Sequence, residues 1–152
     1  MKILIAADGS KYSDAAIEKC CQLFAGGKNS AVRIISVIEP PAPMAAEPFG
    51  ISAPYYAETK AALTAQAKET IERAEKMIIE NFTDANLAVE TAVVAGNPKQ
   101  EIIEEAKSFQ ADLIVIGSHG YGFFERMMLG SVSGYVVQHA RCSVLVVRNT
   151  GE

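Results

Sequence analysis

Continuous apolar runs alternate along this chain with stretches whose apolar residues recur every three or four positions. The runs Lys2–Ala7, Val32–Ile38, Leu87–Ala95, Leu113–Ile116 and Ser143–Val147 read as five strands. Between the first two, Ala16, Cys20, Leu23 and Phe24 sit at helical spacing, so a helix is expected from about Ser13. Ser10 or Ser13 would cap it, and Gly26-Gly27 would end it. A long helix is expected over Tyr56–Phe82, with Ala67, Ile71, Ala74, Ile78 and Phe82 as its inner stripe. A third follows Gly96-Asn97-Pro98, where Asn97 suits the cap and Pro98 the first helical position. A fourth spans 131–140. Strands without polar alternation, separated by helices, predict an α/β fold with a parallel sheet covered on both faces.

One segment fits neither period. Pro40 to Pro54 holds five of the six prolines and cannot be regular throughout, because proline lacks an N–H and restricts the residue before it. It reads as a long loop, either a lid or a tolerated insertion.

The chemistry gathers after the fourth strand, in Gly117-Ser-His-Gly-Tyr-Gly-Phe-Phe-Glu-Arg-Met-Met-Leu-Gly130-Ser-Val-Ser133. Glycines let a backbone turn sharply and bring its N–H groups close to a ligand. The helix start that follows adds unpaired donors and partial positive charge, which suits an anion. The hydroxyls of Ser131 and Ser133 lie there too. Together these describe a cradle for phosphate. It is not a Walker A loop, since no lysine lies between Gly117 and Ala140. Arg126 is the loop's one fixed positive charge, placed to reach a triphosphate or to pair with Glu125. With so little positive charge, a triphosphate calls for a divalent cation, and Mg2+ suits one held through phosphates, water and one or two protein oxygens. Phe123, Phe124, Met127, Met128 and Leu129 make the middle of the loop apolar, for packing or for a partner surface.

The spacing Gly117-x2-Gly120-x9-Gly130-Ser131, with the opening Ile3-Leu-Ile-Ala-Ala-Asp8-Gly-Ser10 and the ending Cys142-Ser-Val-Leu-Val-Val147, resembles the universal stress protein family in its ATP-binding branch. The resemblance covers nearly the whole chain. It implies one Rossmann-like domain over residues 1–152, with strand order 3-2-1-4-5. That order makes strands one and four the switch point, where ligands bind beyond the strands' carboxyl ends. It further assigns Gly117, His119, Gly120, Gly130, Ser131, Val132 and Ser133 to nucleotide contacts. Ala7 and Asp8 fall against adenine and ribose, and Val37 under the base. The alternative for Asp8 is a turn residue bonding its own backbone. In similar proteins the last strand pairs across a two-fold axis, so a homodimer through Val144–Val147 is expected.

Composition narrows the function classes. A chain of 152 residues suggests one domain, able to bury roughly two-thirds of its unfolded surface. A formal charge of −4 argues against a broad nucleic-acid footprint. No run approaches the ~18 apolar residues of a membrane span, and the opening run stops at Asp8, so a cytoplasmic protein without a signal peptide is expected. Cys20, Cys21 and Cys142 are odd in number and lack metal-ligand spacing, which favours reduced, buried thiols over a redox pair. His139 needs no more than the negative end of its helix.

Three readings follow. The leading one is an ATP- and Mg2+-binding stress or signalling module that acts on an unidentified protein partner. It would hydrolyse at most slowly, because no nucleophile, base or cationic clamp for phosphoryl transfer stands out. A module binding AMP or no nucleotide is the second. The third is an adenylating enzyme, though Ala6-Ala-Asp-Gly-Ser10 lacks the glycine-rich phosphate loop such enzymes carry after strand one.

Overall fold

The computed structural model describes residues 1–40, 53–84, 86–120 and 129–149. In chain order the elements are β1 (Lys2–Ala6), α1 (Lys11–Phe24), β2 (Ala31–Ile38), α2 (Ala53–Asn81), β3 (Ala88–Ala95), α3 (Pro98–Phe109), β4 (Leu113–Gly117), α4 (Ser131–His139) and β5 (Ser143–Val147). All five strands are parallel, in the order β3-β2-β1-β4-β5. The α/β class and the order 3-2-1-4-5 are therefore those expected.

Side-chain alternation along each strand divides the core in two. Ile3 pairs in register with Val32 and Leu113, and Ile5 with Ile34 and Val115. These six turn to one face, where Ala16, Ile17 and Cys20 of α1 and Ile71, Ala74 and Ile78 of α2 cover them. Leu4, Ile35, Ile114 and Ile116 turn to the other face, beneath Ile102 and Ala106 of α3 and Val136 of α4. Each fully buried isoleucine or leucine contributes roughly 1.5–3 kcal/mol through removal from water. Both faces of β1 and β4 are thus closed, which explains why their sequences show no polar alternation.

The rim of strand beginnings is tied together by polar contacts. Lys2 N–H donates to Asp112 Oδ2 at 2.7 Å, and Asp112 N–H donates back to the Lys2 carbonyl at 2.8 Å. Arg33 bonds Glu90 Oε2 through Nη2 at 2.6 Å and Glu105 Oε2 through Nη1 at 3.2 Å. Its guanidinium also lies 4.5 Å from the Phe109 ring centroid. Asp84 accepts from the Ser30 N–H at 2.7 Å and the Asn86 N–H at 3.0 Å, which pins the turn after α2 to the start of β2.

Two helix starts differ from expectation. α1 begins at Lys11, because the Ser10 side chain accepts from the Ser13 N–H at 3.3 Å and so takes the cap position. Leu23 is 53% exposed and lies off the inner face. α2 begins at Ala53, so Pro54 stands in its first turn, where a missing N–H costs nothing, and not in the preceding loop. The rest of the proline-rich stretch, 41–52, lies outside the described residues. Among the described residues no helix is long and apolar enough to cross a membrane.

Candidate functional site

β1 and β4 are neighbours, but their chains leave to opposite faces, β1 toward α1 and β4 toward α4. A cavity of about 260 Å³ lies beyond their carboxyl ends. Ala6, Ala7 and Asp8 enter it from the end of β1, Ile35 and Val37 from β2, and Ile116 and Gly117 from β4. His119, Gly120 and Gly130 come from the glycine loop, Ser131, Val132 and Ser133 from the start of α4. Pro98 and Ile102 of α3 and Ser13 of α1 complete the lining. Ten of the expected site residues therefore meet in one place: Ala7, Asp8, Val37, Gly117, His119, Gly120, Gly130, Ser131, Val132 and Ser133. Arg126 lies outside the described residues, as do Gly122, Glu125 and the apolar stretch 123–128.

Local geometry shapes both loops. Gly9 takes φ 81°, a left-handed conformation that glycine reaches without strain. That turn lets Asp8 Oδ1 accept from the Ser10 N–H at 2.9 Å, while Ser13 Oγ accepts from the Gly9 N–H at 3.2 Å. Asp8 is thus a turn residue by one oxygen, and its other oxygen faces the glycine loop. Ala7 N–H donates to the Ile35 carbonyl at 2.9 Å, which extends the ladder to the cavity edge.

The second loop is packed closely against the first. At Gly117 a β-carbon would stand 2.7 Å from the carbonyl carbon of Tyr12, so any side chain there collides with backbone. The Tyr12 ring lies 5.3 Å from the His119 ring, tilted by 54°. Ser118 Oγ lies 3.1 Å from His119 Nδ1, fixing the imidazole from its own strand end. At the other side of the loop Gly130 is the cap of α4 and, being glycine, offers no side chain to the helix's first amides. Those of Ser131, Val132 and Ser133 have no carbonyl inside the helix to accept from them. They provide the positive end of a dipole beside a cavity whose opposite walls are Val37, Ile35 and Ile102. The lining is thus amide-rich at one end and aliphatic at the other, as an amphipathic anion requires.

Among the described lining residues there is no lysine or arginine, and Asp8 is the acidic one. Among the described residues no three His, Cys, Asp or Glu side chains form a metal-binding group.

The family model described as the universal stress protein family matches residues 1–148. The chain belongs to the universal stress protein family. Among its relatives, the universal stress protein YxiE of Bacillus subtilis is 31% identical, over 97% of this chain and 98% of the relative. The structure of the universal stress protein UspA from Lactobacillus plantarum matches with a TM-score of 0.81 and 28% identity, over 97% of each chain. A universal stress protein solved in complex with cAMP matches with a TM-score of 0.64 and 25% identity, over 97% of this chain and 96% of that one.

Sequence reasoning did not place Ile35, Pro98 and Ile102 in this universal stress protein site. Each was legible as a core or cap residue, but the approach of Pro98 and Ile102 to the cavity depends on how α3 lies across β1 and β2. The sole available signal was parity: Ile35 and Val37 are two apart on one strand and share a face. His139 is explained locally, since its Nδ1 lies 2.9 Å from the Tyr135 carbonyl and its ring stacks on Tyr135 at 3.8 Å. The cysteines are all free. Burial pushes the Cys20 thiol up to about 12, with a smaller contribution from adjacent Cys21, so neither a thiolate nor a redox pair is favoured.

Proposed function

We propose that the cavity binds an adenine nucleotide, and that the protein is an ATP- and Mg2+-dependent stress or signalling module with at most slow hydrolysis. One observation carries the reading. The uncapped start of α4 opens onto a cavity at the β1/β4 switch point, opposite an aliphatic wall. In this reading Val37, with Ile35 and Ile102 beside it, covers the base. Ala7 lies at its edge, and the second oxygen of Asp8, the one not bonded to Ser10, accepts from ribose hydroxyls. Gly117, His119 and Gly120 line the path of the phosphates toward the amides of Ser131, Val132 and Ser133. Ser131 Oγ is the protein oxygen offered to magnesium beside the phosphates, the remainder coming from phosphate and water. The relative solved with cAMP supports the adenine-nucleotide class.

A second copy of the chain is the proposed partner, through β5. That strand has β4 as its one sheet neighbour among the described residues, and an unpaired edge offers a row of N–H and C=O groups. The cytoplasm is the proposed compartment, where three free thiols stay reduced.

Titration calorimetry of the full chain with ATP, AMP and cAMP, with and without magnesium, tests the reading. Micromolar ATP binding that strengthens with magnesium is the expected result. No heat at millimolar nucleotide of any kind overturns it. Mass spectrometry of gently purified protein offers a second test, through a co-purified nucleotide mass.

A further inference from the structure

Ser133 faces the cavity by its place in the first turn of α4, yet its hydroxyl is turned into the protein. The residue is 2% exposed. Its Oγ lies 2.8 Å from the Ser118 carbonyl oxygen and 3.2 Å from that of Gly130. A hydroxyl has one proton to give, and the Ser118 oxygen is the nearer acceptor. The Gly130 N–H donates to that same oxygen at 2.8 Å. A carbonyl oxygen has two lone pairs, so Ser118 is fully engaged by these two donors. On its other side the Ser118 N–H donates to the Val147 carbonyl at 2.7 Å, which anchors the residue to the end of β5.

Two consequences follow for an anion. The Gly130 amide is already occupied, which leaves the next three, those of Ser131, Val132 and Ser133, to face a ligand. The direction of these three is set by how the first turn of α4 is held against the end of β4. Among the described residues that hold includes the Gly130 amide and the Ser133 hydroxyl, both on one oxygen. Ser131 differs in kind, because its side chain is exposed at the same helix start.

We infer that Ser133 is a positioning residue, whose buried hydroxyl clamps α4 to Ser118 and so aims the amide cradle, and which does not touch the ligand through that hydroxyl. The inference rests on the nucleotide reading and assigns its phosphate end to main-chain amides. It separates Ser133 from Ser131, the serine left to meet phosphate or a metal directly.

The test uses the full chain, wild type and Ser133→Ala, with two measurements. The first is amide hydrogen exchange at Gly130 without nucleotide. Losing one net hydrogen bond predicts exchange about three- to ten-fold faster in the variant. The second is affinity for ATP and for adenosine. ATP binding should weaken by about three- to ten-fold while adenosine binding stays within about two-fold, because only the anion depends on the cradle. Should Ser133→Ala fold poorly, Ser133→Cys keeps the volume with a weaker donor, and carries the same comparison with smaller changes in the same directions.

Unchanged exchange at Gly130 overturns the clamp whatever the protein binds. Faster exchange with ATP and adenosine affinities shifted equally, or not at all, overturns the positioning role and leaves a structural brace. If wild type binds neither ligand, the functional reading falls and this inference with it. The exchange measurement still reports the clamp by itself, so the two failures are told apart.

Discussion

Asp8 Oδ2 stands 2.7 Å from the point a β-carbon on Gly120 would occupy. The carboxylate has little room to yield, because its other oxygen holds the Ser10 N–H at 2.9 Å. The loop after β4 therefore lies this close to the loop after β1 with glycine at 120, and a β-carbon there would make one of them shift. Gly120→Ala should move Asp8 or the loop by a few tenths of an ångström and weaken nucleotide binding by about ten-fold, or ~1.4 kcal/mol. Thermal stability should fall by no more than about 1 kcal/mol, since the collision is with a side-chain end. Calorimetric titration beside a melting curve checks both; an affinity equal to wild type would show that the contact does not govern the site.

Gly117→Ala should behave differently. The added carbon would meet the Tyr12 main chain, 2.7 Å from its carbonyl carbon and 2.8 Å from the oxygen. Main chain at the first turn of α1 cannot swing aside as a side chain can, so the cost falls on folding. A loss of roughly 1–3 kcal/mol is expected, read as a lower urea midpoint. Gly26→Ala is the control: nothing lies within 4 Å of its added carbon, and its midpoint should hold or rise.

Asp84 gives a pH signature. The Ser30 and Asn86 amides hold its carboxyl below the ordinary value of 3.8. A carboxyl depressed in the folded state stabilises above its unfolded value, and that stabilisation is lost as pH falls below 3.8 through the folded value. Asp84→Asn should therefore have a lower urea midpoint than wild type at pH 6, with the gap narrowing below pH 4. A gap constant from pH 6 to pH 3 would mean the charge contributes nothing.

The thiols set the opposite, alkaline limit. Cys20 is pushed from 9.0 to about 12, chiefly by burial and then by Cys21. A raised thiol stabilises the fold fully below its unfolded value of 9.0, and this is lost between pH 9 and about 12 as the unfolded chain ionises first. Under native conditions at pH 8, a thiol reagent should label partly exposed Cys142 before buried Cys20. Equal rates would contradict the packing of α1.

The sheet was legible because burial on both faces writes itself as unbroken apolar runs: Leu4 and Ile5 are adjacent in sequence, face opposite layers, and are both fully buried. The glycine loop was legible because its spacing is local. What escaped was set by distance. Ser133 reads as one more hydroxyl at a helix start, and only the fold brings it to the Ser118 carbonyl, fifteen residues earlier. Arg33 reads as an odd charge in an apolar strand until Glu90, Glu105 and the Phe109 ring are seen to gather around it.

The shared direction of the strands has a practical outcome. Strand beginnings cluster at the Lys2, Arg33 and Asp112 rim, held by their own ion pairs and amides, while the cavity opens at the far rim. A tether or dye attached near Asn29 or Asn86, at that first rim, would leave the mouth clear. The protein can be mounted on a sensor chip by one end and sampled for small molecules at the other.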